Sequence, residues 1–254
     1  MKRPFLVKAA VMALVAAYFS LGPDAHAILA TPSSWGVIQG DFQSGNPNTW
    51  LSGNNNADRS GAGGVSGDQR VNQPVWGFAL PSIGAGMQID AVDFGFTMFS
   101  TAVNSGATHT AVISLMNHDD IGDFNGADYV TSVSSLGNGT LVATFDNTDV
   151  ANNSVESFSL AGAALTQFQS LYDASGNPSQ TDVWFRISYD NFIWDWGTGG
   201  NANDRYQFLD DGSGNVTRTL EITTSVAVPE ASLFMVWGLA TVGVVALRRR
   251  RRTA

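Results

Sequence analysis

The chain has 254 residues, no cysteine and a formal net charge of −9. Residues 28–226 carry 20 of the 22 acidic residues, only five of the 13 basic ones, and no lysine. A surface this acidic repels nucleic acid and anionic lipid, which excludes both as partners of this part of the chain. The absence of cysteine also excludes a disulfide framework and a thiolate metal site, so stability must come from a buried core.

The first 27 residues have the three parts of a secretory signal peptide. A cationic start, MKRPFLVK, precedes the apolar stretch AAVMALVAAYFSL, and Ala25-His26-Ala27 forms a small-x-small cleavage site. We therefore predict that residues 1–27 are a signal helix that exports the rest of the chain. The alternative, an uncleaved anchor helix, would need about 20 apolar residues.

Residues 28–226 are predicted to form one all-β domain. Gly, Ser, Thr, Asn and Asp crowd between short runs of β-branched and aromatic residues, which are the candidate strands. These runs are residues 34–40, 75–83, 87–99, 109–117, 139–146, 154–162, 182–190, 205–211 and 217–226. Turn clusters such as residues 52–68 and 195–204 separate them, and this pattern predicts an antiparallel β-sandwich of the jelly-roll type.

Hydrophobic periodicity supports the strands and indicates one short helix. Apolar residues recur near period two at Ile89, Ala91, Phe94, Phe96 and Met98, and again at Val183, Phe185, Ile187 and Tyr189. The second set alternates with Trp184, Arg186 and Ser188. Residues 161–174 show helical spacing instead, and a Gly-Asn-Pro stop follows them. The apolar positions of this helix are Leu165, Phe168, Leu171 and Tyr172.

The segment VWGFALPSIGAGMQIDAVDFGFTMF, residues 75–99, resembles DNRLRE-type domains, in which a Phe-x-Leu-x-x-Ile turn leads through a small-residue corner into a long strand. The later order of GTL, SVESFSLAGAAL, DVWFRISYD and TLEITT is similar to that family as well. The resemblance implies a jelly-roll sandwich related to carbohydrate-binding modules. The family's basic approach to the first core strand is reduced to Arg70, and its Trp-Ser-Glu element has no counterpart, so the resemblance bears on fold more than on ligand.

Groups suited to catalysis are few in this domain. Once the leader is removed only His109 and His118 remain, and no Gly-x-Ser-x-Gly elbow supports a Ser-His-Asp triad. Paired carboxylates for glycoside cleavage stay open, although Glu156 and Glu221 lie in candidate strands without an evident partner. The sequence favours a non-enzymatic protein.

The most concentrated oxygen donors lie in NHDDIGDFNGADY, residues 117–129. Calcium takes six to eight oxygen ligands, so this loop is a candidate structural calcium site. Its ligands would be Asp119, Asp120, Asp123, Asn125 and Asp128. The spacing does not match an EF-hand, because alignment on Gly126 puts Ile121 in the first ligand position. The alternative is that Asp, Asn and Gly simply form turns.

The aromatic stretch YDNFIWDWGTGGNANDRY, residues 189–206, is the candidate glycan platform. Trp194 and Trp196 are two apart, so on a strand both would project from one face, and Asp195 and Tyr206 could bond sugar hydroxyls. Against this reading, aromatic pairs at such spacing often fill a core.

The C-terminal segment, residues 227–254, combines Val228-Pro229-Glu230, an apolar run over residues 231–247 and five arginines, Arg248, Arg249, Arg250, Arg251 and Arg252. The run is just long enough to cross a bilayer as a helix, and the arginines orient it with the acidic domain outside. This order resembles the PEP-CTERM sorting signal of Gram-negative bacteria, with Ala231 where that motif has its second proline. The resemblance implies an inner-membrane intermediate that is cut by an exosortase-type enzyme near Pro229. Display at the cell surface or in the extracellular matrix would follow. A plain membrane anchor is the alternative.

Together these features predict an exported, non-enzymatic protein that associates with polysaccharide through its β-sandwich. A purely structural or adhesive matrix protein without a discrete ligand is the alternative, and a polysaccharide-active enzyme is the third possibility.

Overall fold

A computed structural model describes most of the central domain: residues 25–41, 49–53, 58–63, 70–102, 108, 110–130, 136–189 and 205–227. These residues contain eleven strands and one α-helix. The strands are β1 (His26–Asp41), β2 (Thr49–Ser52), β3 (Arg59–Gly63), β4 (Arg70–Ala79), β5 (Met87–Ala102), β6 (Thr110–Met116), β7 (Gly139–Asp146), β8 (Val155–Ser159), β9 (Asp182–Tyr189), β10 (Arg205–Phe208) and β11 (Arg218–Val226). The helix α1 spans Gly162–Gln169.

The strands form two antiparallel layers, which confirms the predicted all-β sandwich. The first layer is the start of β1 followed by β11, β5 and β8. The second is β2, the end of β1, β4, β9, β6 and β7. Strand β1 serves both layers, and the register shift between Pro32 and Trp35 marks the bulge where it crosses.

The sandwich is closed on one side and open on the other. Strands β10 and β3 join the end of β5 to the start of β4, so that β1, β11, β5, β10, β3 and β4 form a closed six-stranded ring. The opposite side ends in β7 and β8. There α1 inserts Ala164 and Phe168, which are both fully buried.

An aromatic core fills the space between the layers. Phe94 and Phe185 stack with ring centroids 4.3 Å apart, and Trp76 contacts Phe208 edge to face at 4.9 Å. Burial of each such side chain contributes about 1.5–3 kcal/mol, so strands from both layers are tied together at this centre.

A second, smaller cluster lies on the outer face of the second layer. Ile38, Val75, Met116, Phe124 and Trp184 pack there. This face is covered because the connection between β6 and β7 folds back over it. Strand β9 is consequently buried on both faces, with Trp184, Arg186 and Ser188 as inaccessible as the core residues between them.

The structure also differs from the sequence prediction in four details. Strands β2 and β3 were not predicted, and β3 lies inside the expected turn cluster. Helix α1 is shorter than residues 161–174. A register shift between β5 and β11 interrupts the expected alternation, so Ile89 and Val92 are buried while Ala91 is only partly so. Strand β1 begins at His26, two residues before the expected domain boundary.

The two ends of the described domain lie together. His26 pairs with Thr224, and the Ala227 amide donates to the Gly86 carbonyl at 2.8 Å. We call this the terminal end of the sandwich. At the opposite, distal end, β9 stops at Tyr189 and β10 starts at Arg205. No helix in the described residues is long and apolar enough to cross a membrane. The expected tail helix and residues 1–24 of the expected signal helix lie outside those residues, whereas His26 and Ala27, the last two positions of that predicted helix, belong to strand β1.

Candidate functional site

The predicted glycan platform falls largely outside the described residues. Trp194, Trp196 and Asp195 belong to the undescribed connection between β9 and β10, whose two ends lie at the distal end of the sandwich. Tyr206 is described, and the expectation for it was wrong. Its side chain is fully buried and packs edge to face on Phe145, with centroids 5.0 Å apart. Burial raises the pKa of Tyr206 above its usual value, and the buried ring offers no face to a sugar.

The five predicted calcium ligands lie in a loop built from two short 3-10 turns, Ile121–Asp123 and Gly126–Asp128. Asp120 caps the first turn by accepting from the Gly122 amide at 2.7 Å, and Asn125 caps the second through the Ala127 amide at 2.8 Å. In each turn an aspartate three residues after the cap accepts from the backbone amide of the capping residue. The acidic residues therefore form two consecutive capping boxes.

A carboxyl pair marks the exposed edge of this loop. The hydrogen bond between Asp119 and Asp123 raises the pKa of Asp119 and lowers that of Asp123. Among the described residues, however, no three His, Cys, Asp or Glu side chains are grouped so that they could hold a metal ion. Calcium binding at this loop stays a prediction.

Asp128 anchors the loop from inside. Its side chain is fully buried, and its Oδ1 lies 2.8 Å from His118 Nε2 and accepts from Asn138 Nδ2 at 2.9 Å. The His118 ring packs edge to face on Phe124 at 4.5 Å, and Phe124 packs likewise on Trp184 at 5.2 Å. The loop is thereby fixed to strand β9 by both polar and apolar contacts.

Two buried polar side chains of the sheet hold the same loop by its backbone. Arg186 donates from Nη1 to the Asp128 carbonyl at 2.5 Å and from Nη2 to the Leu136 carbonyl at 2.7 Å. Gln73 pairs with Val130 in both directions, donating to its carbonyl and accepting from its amide. Burial lowers the pKa of Arg186 to about 10. Neither role was predicted from the sequence, because both residues occupy strand positions that alternate with core residues.

Two exposed turns repeat one pattern that the sequence analysis missed. Residues 173–177 and 211–215 both read Asp-Xaa-Ser-Gly-Asn. In each, the aspartate Oδ1 accepts from the serine amide, and the aspartate amide donates to the asparagine carbonyl. Isolated β-bridges flank both turns. The hydrogen bonds from Ser213 lower the pKa of Asp211 to about 2. Both turns are thus preorganised by their own side chains.

Comparison with known proteins adds little to this geometry. No known family matches the sequence, and no curated protein matches it either. Among solved structures, the chain is similar to the xylan-binding module CBM15, with 8% identity over 79% of this chain and 97% of that one, at a TM-score of 0.33. A xylanase 10C from Cellvibrio japonicus in complex with xylopentaose gives 12% identity over 78% of this chain, at a TM-score of 0.32. This chain spans 28% of that structure. Superpositions this loose carry no argument about a ligand.

Proposed function

We propose that this chain is an exported, non-enzymatic protein of the cell surface or extracellular matrix, whose β-sandwich associates with glycans. The observation that carries the proposal is the polarity of the domain. The expected leader and sorting tail both continue from the terminal end, where His26 pairs with Thr224. Residues 190–204, which include Trp194 and Trp196, connect two strands whose ends lie at the distal end. If the tail holds the protein in the inner membrane or at the cell surface, the distal end of the sandwich would point away from the membrane. The aromatic stretch connects two strands at that end.

The titratable groups in the connection between β6 and β7, which we call the covering loop, have structural roles, and this supports a function without catalysis. His118 is bound through Nε2 to buried Asp128 and packs on an aromatic ring. Asp120 and Asp123 are occupied in capping turns. These groups hold the loop in place. Their arrangement is explained by that structural role, and no substrate is needed to account for it.

The experiment that tests glycan association is retention of the purified domain by polysaccharide from the producing cells. Trp194→Ala and Trp196→Ala are each expected to abolish retention without a change in melting temperature. Leu29→Ala is the matched control, because Leu29 is an apolar residue at the terminal end with 67% of its surface exposed. Retention unchanged by either tryptophan variant would contradict the proposed platform.

A structural or adhesive matrix protein is the second candidate. The open side of the sandwich favours it, since strands β7 and β8 carry the exposed apolar residues Leu141 and Val155 and contain neither lysine nor proline, which commonly protect edge strands. If this candidate is right, the protein stays in the matrix fraction when both tryptophans are replaced.

The delivery route has its own test. Intact mass and cell fractionation should show cleavage near Pro229 and release from the inner membrane, and both should be lost when Arg248 to Arg252 are deleted. A full-length protein that remains in the inner membrane would make the tail a plain anchor.

A further inference from the structure

The outer face of the first layer is open to solvent. The outward residues of β8 are all exposed, and so are Thr219 and Glu221 on β11; those of β8 are Val155, Ser157 and Ser159. By contrast, the covering loop buries the outer face of the second layer. An antiparallel sheet commonly leaves one face in water when that face carries polar side chains. Apolar side chains on the open face therefore call for an explanation.

An apolar patch occupies the distal half of this face. Leu209 and Val155 flank Thr97 of β5 on its two sides: the Leu209 amide donates to the Thr97 carbonyl at 2.9 Å, and Val155 is opposite Thr97 in the ladder to β8. Phe99 follows two residues further along β5. Val155 is 77% exposed, Phe99 46% and Leu209 39%. Contiguous exposed apolar residues with a polar rim mark binding surfaces, whereas scattered ones do not.

A β-bulge turns the Phe99 ring outward. Strand β10 pairs Gln207 with Ser100 and Phe208 with Met98, so Phe99 is the extra residue between them. Met98 and Phe208 are buried in the core, whereas Phe99 is exposed. Bulges of this kind re-aim a side chain and are over-represented next to active sites. The backbone thus holds an aromatic ring outside the core, at the centre of the patch.

A shallow trough lies beside the patch. The next row of outward residues towards the terminal end has small side chains and consists of Thr219, Gly95 and Ser157. Gly95 has no side chain, and Thr219 Oγ1 lies 2.7 Å from where its Cβ would be. The row after that consists of Glu221, Asp93 and Ser159. Asp93 and Thr97 are four residues apart on β5, or about 13 Å. We call the space between the row of Asp93 and the row of Thr97 the trough.

The wall of the trough that faces the patch carries two carboxylates. Glu221 and Asp93 are directly opposite in the ladder between β11 and β5, which puts their Cβ atoms about 4.5–5.5 Å apart. Like charges in this arrangement destabilise a sheet. The Ser159 hydroxyl donates to one oxygen of Asp93. Within the described ranges, no lysine or arginine side chain lies on this face, since Arg218 on β11 is buried on the inner side with its partner Phe96. A ligand that brings positive charge would relieve the repulsion.

We propose that the trough binds amine-bearing glycans, which are polysaccharide chains that contain protonated amino sugars. Charge complementarity selects this occupant, because an ammonium group matches the paired carboxylates of Asp93 and Glu221. The C–H faces of sugar rings gain dispersion contacts on the Phe99 ring, and an aromatic face also attracts a cation. A second copy of the chain, or an acidic glycan, would bring more negative charge to this face. This inference rests on the proposed glycan association and names the class of glycan and a second site.

Calorimetry of the purified full chain in detergent tests the site with oligomers of glucosamine, N-acetylglucosamine and glucose. A mildly acidic buffer keeps the amines protonated. Glucosamine oligomers should bind, the two uncharged series should bind at least about tenfold more weakly, and added salt should reduce the difference. Glu221→Gln and Asp93→Asn should each lower the affinity for glucosamine oligomers about fivefold, the upper range for one exposed ion pair. Phe99→Ala should lower it at least about tenfold, as expected for an aromatic residue at the centre of a binding surface.

Each variant has a matched control on the second layer. Asp182→Asn removes the same charge at the first position of β9. Leu141→Ala removes an apolar side chain that is 45% exposed on β7. Both variants should bind glucosamine oligomers like the wild type. Melting temperatures check that every variant folds.

The outcomes separate the trough from the proposed function. Failure of glucosamine oligomers to bind, with the chain still retained by native polysaccharide, would overturn the trough and leave glycan association standing. Binding of glucosamine oligomers without such retention would uphold the trough and overturn the matrix function. Equal affinity for the acetylated oligomers, or equal losses in the control variants, would overturn the amine site. Equally tight binding of pentalysine would indicate a surface for any polycation and would overturn it as well.

Discussion

Replacement of Arg186 by methionine should detach the covering loop from strand β9 and lower the free energy of unfolding of the domain substantially. The side chain is fully buried, and two of its nitrogens donate to the carbonyls of Asp128 and Leu136. Hydrogen bonds to a charged group contribute about 1.5–3 kcal/mol each. Methionine would leave both carbonyls without their donor and would remove the guanidinium charge that interacts with the buried Asp128 carboxylate. Breaking a buried charge arrangement in this way costs about 3–5 kcal/mol.

Urea unfolding followed by circular dichroism measures this cost directly. For a domain of this size, a loss of that magnitude corresponds to a fall in melting temperature of about 6–20 °C. The double variant Arg186→Met with Asp128→Asn should recover part of the loss, because the uncompensated carboxylate is gone. Glu221→Gln on the exposed face of β11 is the control and should stay within about 0.5 kcal/mol. A single Arg186→Met variant as stable as the control would refute the argument that this arginine holds the loop.

Three further predictions concern the turns and the loop. Gly176→Ala should destabilise the domain by about 2–4 kcal/mol, because φ is +73° and the new Cβ would lie 2.2 Å from the Gly84 oxygen. Gly53→Ala, with φ +61° and open space around it, should cost only about 1 kcal/mol in thermal unfolding; equal losses would contradict the steric argument. Asp211 should titrate near pH 2 by NMR. Because its pKa is depressed in the folded state, the stability it contributes is present above pH 4 and lost as pH falls towards 2; a midpoint near 4 would contradict this. Calcium should raise the melting temperature of the wild type, and Asp123→Asn should reduce that rise; a melting temperature unmoved by calcium would exclude the loop as a site.

The sequence predicted the sandwich well because most of its strands are runs of β-branched and aromatic residues, which indicate a strand without any long-range information. All nine candidate strands correspond to observed ones, and Phe168 is buried in α1 as the helical spacing indicated. Strand β3 escaped prediction because RSGAG has low intrinsic strand preference. It becomes a strand through its ladders to β4 and β10, which are long-range pairings that local sequence does not reveal.

Burial on the outer face of β9 could not be predicted for a related reason. Trp184 and Arg186 alternate with core residues, the pattern of a half-exposed strand. They are buried because residues 117–130, more than 50 positions away, fold over them. Tyr206 shows the converse error: a tyrosine in a polar, glycine-rich stretch is inside the core, because β10 crosses between the two layers.

The pairing of the first strand with the last has a consequence for the order of folding, and so for the proposed export. Ile28, the first residue after the predicted leader, pairs with Ile222 on β11 at the other end of the domain. Strand β11 lies between β1 and β5 in the first layer, so that layer cannot close until the end of the domain has emerged. Such non-local pairing slows folding. On the export route proposed above, almost the whole domain would therefore cross the membrane before β1 is fixed in the sheet, and the domain would stay unfolded during translocation.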